Sequence, residues 1–183
     1  ANRDSNLLFG LVTDFTDSES HASFEDETLI KQVQKGIEQL NQKYGRLSND
    51  TFFLFHRPRQ WNPRQNSWMG YERKRGKLTE LNRLLRGEGQ DRFSVIVGDA
   101  HIYTTVKYVI TLDSDTQLPR DSASSLVGIM AHPLNQPVYD EKKKRVVEGY
   151  GIIQPRIAIS LHGAIRSGYS RLTENDSGID PST

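Results

Sequence analysis

Asp113 and Asp115, separated by Ser114, follow directly on the apolar run Tyr108 to Leu112 (YVITL). A short, continuous apolar run reads as a buried strand. In an open α/β sheet, ligands bind beyond the carboxyl ends of the strands. If the backbone stays extended, alternation puts the two carboxylates on the same side of the chain. Two such charges repel each other unless a cation lies between them. Oxygen ligands with few protein contacts suit Mg²⁺ or Mn²⁺ that also takes substrate phosphate oxygens. Thr116 adds a hydroxyl, and Leu118-Pro119 stops the strand and redirects the chain. The competing structural reading is an acidic turn facing water, because Asp is common in loops.

A second group is basic: Tyr71-Glu72-Arg73-Lys74-Arg75-Gly76-Lys77 leads into a helix. Backbone N–H groups at a helix start favour anions, and glycine permits close approach of a phosphate. Clustered Arg and Lys add charge-assisted bonds, so a pyrophosphate suits this stretch; a solvated basic turn is the structural alternative. Trp61 and Trp68 lie just upstream. They suit stacking on bases or on sugar rings, and they equally suit pinning a loop to the core. The Asp113–Asp115 pattern also admits a phosphohydrolase of the haloacid dehalogenase type, with Asp113 as nucleophile. That pattern wants Thr or Val two residues after the second Asp, where this chain has Gln117. It also belongs in the first strand of its domain, whereas several strands precede it here.

The elements that must position these groups alternate between strand and helix. Leu7 to Thr13 (LLFGLVT) reads as a strand covered on both faces. Ser23 precedes Asp26 by three residues, a capping-box pattern. Leu29, Ile30, Val33, Ile37, Leu40 and Tyr44 then follow at helical spacing, closed by Gly45. Thr51 to Phe55 (TFFLF) and Phe93 to Val97 (FSVIV) read as strands. His56 to Tyr71, with two prolines and a glycine, reads as a loop, and Lys77 to Leu85 as a helix with Leu78, Leu81, Leu84 and Leu85 on one side. Pro119 and Asp121 open a helix through Leu126 and Met130. Lys142 to Arg145 reads as a solvated turn, and Val146 to Ile157 as extended. This order predicts an α/β fold with a mainly parallel sheet flanked by helices.

Composition narrows the function further. The formal net charge of +1 gives no push toward nucleic acid or an anionic membrane. The absence of cysteine excludes a disulfide scaffold, thiolate metal sites and a cysteine nucleophile. No apolar run approaches the ~20 residues that cross a bilayer. The chain opens on Ala1-Asn2-Arg3-Asp4 without a signal-peptide pattern, and Asp176 to Thr183 reads as a polar loop. Residues 1–183 are therefore expected to be a fragment of a larger chain, itself soluble even if the parent is membrane-embedded.

Three ordered blocks carry a resemblance that covers nearly the whole chain: FFLFHRPRQWNPRQNSWMGYERKRGKLTELNRLLRG, YVITLDSDTQLPRDSASSLVGIMAHPLNQPVYD and VVEGYGIIQPRI. Together they resemble the glycosyltransferase domain of cyclic β-1,2-glucan synthases, large inner-membrane proteins of Gram-negative bacteria. The resemblance implies an incomplete GT-A-like (Rossmann-like) domain that lacks its first strand and its acceptor and base region. It implies a cytoplasmic-face enzyme that transfers glucose from UDP-glucose, with inversion and a divalent metal, to a growing β-1,2-glucan acceptor. Carried over by motif, Asp113 lies by the ribose or the metal and Asp115 ligates the metal. Asp14 and Asp17 fall near the uracil and ribose. Arg75, Gly76 and Lys77 approach the diphosphate, ahead of Leu81-Asn82. The general base is expected after Thr183, with neither Glu148 nor Asp176 assigned to it, so this fragment alone is expected to be inactive. A non-catalytic saccharide- or nucleotide-binding module is the remaining alternative.

Overall fold

The computed structural model describes residues 2, 4–45 and 50–156, which divide into two compact units, the first ending at Asp121 and the second beginning at Ser122. The predicted polar loop from Asp176 to Thr183, and the last residue of the Val146 to Ile157 segment, lie outside the described residues.

The first unit is α/β. Strand β1 (Phe9–Asp14) leads into helix α1 (Phe24–Tyr44), and β2 (Phe52–Arg57) follows. The capping box forms as its residues require. The Ser23 hydroxyl accepts from Asp26 N–H at 3.2 Å, and the Asp26 carboxylate accepts from Ser23 N–H at 2.8 Å. At the far end of α1, the Asn41 side chain takes the N–H groups of Thr51 and Phe52 and donates to Phe52 O, fixing the start of β2 against the helix. β1 and β2 pair in parallel with Asp14 opposite Arg57, so their carboxyl ends lie side by side.

His56 to Tyr71 is not the loop that its prolines suggest. β2 runs on to Arg57, and β3 (Gln60–Asn62) pairs with β4 (Ser67–Met69) as a hairpin with Trp61 opposite Trp68. Cross-strand aromatic pairing stabilises such a ribbon, and Pro58 and Pro63 fall just outside its strands. Helix α2 (Arg73–Leu85) begins four residues earlier than the leucine spacing predicts, so the basic stretch is its first turn.

The sheet is mixed, with the order β1-β2-β5, and β5 (Val95–Val97) runs antiparallel to β2. The mainly parallel expectation fails at the turn after α2. Gly87 and Gly89 both adopt positive φ there, and the chain re-enters at the carboxyl end of β2, where Ser94 N–H donates to His56 O at 2.9 Å. From that point β5 can only run back along its neighbour. Phe53 and Phe55 of β2 form the core with Leu81, Leu84, Phe93 and Tyr103, the last from the short helix α3 (Ala100–Tyr103).

α1 packs on β2 and β5, while Phe9 and Leu11 of β1 stay exposed. Among the described residues β1 is therefore an edge strand with one face uncovered, not a strand buried on both. The YVITL segment also departs from expectation. It joins no ladder among the described residues, and Tyr108, Val109 and Leu112 are exposed. Apolar, β-branched composition shows that a segment suits a pleated, half-buried surface, but not that a partner edge is at hand.

In the second unit, helix α4 (Ser122–Ala131) precedes an antiparallel pair, β6 (Val138–Asp140) and β7 (Arg145–Glu148). Of the predicted Lys142 to Arg145 turn, Lys142 to Lys144 lie between those strands and Arg145 opens β7, and Asp140 accepts from the N–H groups of Lys142 and Lys143. Only the first residues of the predicted extended segment from Val146 form a strand. Among the described residues no helix is long and apolar enough to cross a membrane.

Candidate functional site

The carboxyl ends of β1 and β2 and the first turn of α2 converge on one buried guanidinium. Arg57 is 2% exposed. Its Nε and Nη2 donate to the two oxygens of Asp14 at 2.8 and 3.0 Å, and its Nη1 donates to Glu80 at 2.9 Å. Nη2 also reaches the carbonyls of Tyr71 and Arg73 at 3.1 and 3.3 Å. Those carbonyls flank Glu72, and Glu72 and Arg73 both hold positive φ. Such backbone costs of order 1–3 kcal/mol per residue and persists where its surroundings fix it. Burial opposes the Arg57 charge, but the hydrogen bonds and fields of Asp14 and Glu80 outweigh it and raise the pKa above the ordinary guanidinium value.

A second buried arginine fixes the loop after β1. Arg59 Nε donates to Thr16 O at 2.6 Å, its Nη groups hold the Asp26 carboxylate, and its guanidinium lies 4.9 Å from the Phe15 ring centroid. That contact holds the Asp26 pKa down at about 2. His56 shares hydrogen with Thr13 through Nδ1 at 2.8 Å, while its buried Nε2 has no partner among the described residues. Burial lowers the His56 pKa.

Around this frame the first turns of α2 collect three separate acidic residues. Arg73 Nη2 lies 2.7 Å from Asp17. Lys74 Nζ bridges both Asp113 oxygens at 2.6 and 2.8 Å. Lys77 Nζ lies 3.6 Å from Asp14. The structure thus gathers Asp14, Asp17, Lys77 and Asp113, which are scattered over a hundred positions of the sequence. Arg75 pairs with Glu72 at 3.6 Å, within its own helix turn. Gly76 is dictated by packing: a Cβ there would collide with the Tyr71 carbonyl and press on Arg57 Nη1.

Ser114 and Asp115 form a tight turn, with Thr116 N–H donating to Asp113 O at 3.0 Å. The premise that extended backbone puts both carboxylates on one side therefore fails. Asp115 is exposed, and among the described residues its carboxylate meets the neighbouring Thr116 hydroxyl at 3.5 Å. Among the described residues no three His, Cys, Asp or Glu side chains converge as a ligand set. Both carboxylates are exposed, and Lys74 engages both oxygens of Asp113.

Arg57, Arg59 and Glu80 carry this arrangement and are not apparent in the sequence. Their one signal is position: an arginine continues the apolar strand FFLFH, and a glutamate interrupts a leucine-rich helix face. The tryptophans divide their work. Trp68 exchanges backbone hydrogen bonds with Ser18 at 2.8 and 2.9 Å and packs edge-on with His21. Trp61, its cross-strand partner, borders a cavity of about 590 Å³ between the hairpin and the start of α2, which Gln60, Gln65, Tyr71 and Arg73 also line.

No family model matches the chain. Over 182 residues, 99% of its length, the chain is 41% identical to the cyclic beta-(1,2)-glucan synthase NdvB of Rhizobium meliloti (strain 1021). It spans 6% of that protein.

Proposed function

We propose that this chain is part of the donor-binding region of an inverting glucosyltransferase that moves glucose from UDP-glucose onto a growing β-1,2-glucan. The observation that carries the reading is the contact of Lys74 with both Asp113 oxygens. It brings the acidic motif behind YVITL to the basic start of α2, and the likeness to a glucan synthase covers both segments.

In this reading Asp113 and Asp115 hold Mg²⁺ or Mn²⁺, which when bound offsets charge on the leaving diphosphate. Lys74 keeps Asp113 paired until donor and cation arrive, and then turns to the diphosphate oxygens. Arg73 and Lys77 add positive charge on the same helix turns, where charge-assisted bonds to phosphate are strong. Asp17, Arg75 and Gly76 belong to the same donor locus. Inversion requires a base for the acceptor hydroxyl. We assign it to other parts of the longer protein; Glu148, exposed in β7, is not given that role.

A GT-A-like sheet also belongs to this proposal. The parallel β1–β2 pair joined through α1 supports it, as does the YVITL segment, which has strand composition but joins no ladder among the described residues. The site would work at the cytoplasmic face of the inner membrane, where UDP-glucose is available to the parent chain.

Two experiments test the reading. In the longer synthase, Asp115→Ala should reduce glucan synthesis at least about a hundredfold, the scale of losing one electrostatic stabiliser, with an unchanged thermal melt. Synthesis at the unsubstituted rate would sink the assignment. In calorimetry on this chain, UDP should bind with greater heat when Mn²⁺ is present. Equal heats would remove the metal from the proposal.

A further inference from the structure

The cavity beside the hairpin has the chemistry of a saccharide site. At about 590 Å³ it falls within the size range of small-ligand sites. Its wall carries two aromatic rings, Trp61 at 45% and Tyr71 at 55% exposure. Trp68 anchors the hairpin through Ser18 and His21, so the Trp61 ring stands on a fixed ribbon and keeps an open surface. The side chains of Gln60 and Gln65 also line the cavity and hold no hydrogen bond to any described residue.

Aromatic faces with free amides at their margin suit a ring that has apolar C–H faces and a rim of hydroxyls. Of the charged side chains on the wall, Arg73 is engaged with Asp17 and Glu72 with Arg75, while Arg64 is exposed. Rigid aromatic side chains offer large contact area at low entropic cost, and truncating such anchors removes a large share of binding energy.

We propose that this cavity is a saccharide-binding subsite that takes a glucose unit of the glucan chain. The choice of glucan rests on the glucosyltransferase reading; the fit to a sugar ring rests on the aromatic faces and the amides. The subsite is distinct from the Asp113–Asp115 locus, and Arg73 borders both.

The test titrates this chain with a linear β-1,2-linked glucooligosaccharide, and separately with UDP plus Mn²⁺, by NMR. The oligosaccharide should move the Trp61 indole N–H and the Gln60 and Gln65 side-chain amide resonances. Trp61→Ala and Tyr71→Ala should each weaken its binding about tenfold, or 1.4 kcal/mol, with UDP affinity unchanged. Trp61→Phe should keep most of the affinity. Oligosaccharide binding within twofold of the unsubstituted chain in both alanine variants would overturn the subsite, as would no binding at all. If UDP itself moves the Trp61 resonance and competes with the sugar, the cavity is a nucleotide pocket and the subsite also falls. If the sugar binds as described and UDP does not bind, the donor reading fails while the subsite stands.

Discussion

Arg57 at the end of β2 holds both carboxylate oxygens of Asp14 at the end of β1, two residues directly opposite each other in the parallel ladder. The same guanidinium reaches Glu80 and the carbonyls on either side of Glu72. One side chain therefore sets the separation of the strand ends and the angle at which α2 begins. Replacing Arg57 with Ala strips Glu80 of its buried partner and leaves Asp14 to Lys77, 3.6 Å away. Breaking a buried pair in this way costs about 3–5 kcal/mol, and urea unfolding should register a loss of that order. Arg57→Lys should recover little of it, because an ammonium cannot reproduce the planar fork.

Gly76 reverses a common rule. Gly to Ala inside a helix ordinarily gains about 1 kcal/mol. Here the added methyl meets the Tyr71 carbonyl and Arg57 Nη1, so Gly76→Ala should destabilise the fold. A lower urea midpoint with an unchanged m-value is the expected result.

Lys74 separates stability from function. Its side chain and that of Asp113 are 64% and 56% exposed, and exposed pairs are worth about 0–1 kcal/mol. Lys74→Ala should leave the melting curve nearly unchanged. Under the proposed donor role it should weaken UDP binding to this chain and slow glucan synthesis by the longer protein.

Two groups give the fold a pH dependence. His56 has a folded pKa below its ordinary 6.5 because burial disfavours the charged ring. The unfolded chain therefore takes up a proton first, and stability falls as pH drops below about 6.5. Asp26 is held at about 2, against an ordinary 3.8, by Arg59. Its contribution is complete above the ordinary value and is lost as pH falls from about 4 toward 2. Unfolding free energies measured across this range should show both declines. His56→Leu should flatten the first and Asp26→Asn the second.

Local patterns were legible in the sequence where the physics is local. Ser23 and Asp26 cap α1 because both partners lie within one turn, and Leu81 and Leu84 reach the core because helical spacing puts them on one face. Asp113 stands out by its place behind an apolar run and Lys77 as part of a basic stretch, whereas Asp14 and Asp17 enter only through the family resemblance. Distant partners are another matter. Arg57 and Arg59 look like surface charges until Asp14 and Asp26 are brought beside them. The Trp61–Trp68 ribbon hides behind Pro58 and Pro63, which signal a loop. YVITL has the composition of an inner strand, but composition names no partner. The direction of β5 depends on where the chain re-enters the sheet after Gly87 and Gly89, which periodicity does not record.

The open border of β1 has a practical consequence. Its sequence, FGLVTD, contains neither lysine nor proline, the residues that keep a free strand from recruiting another. With Phe9 and Leu11 uncovered beside backbone groups that no described residue pairs, two copies of the isolated chain can zip together along this line. Concentrated preparations should accumulate soluble aggregates that grow with protein concentration, and a lysine in place of Leu11 should suppress them.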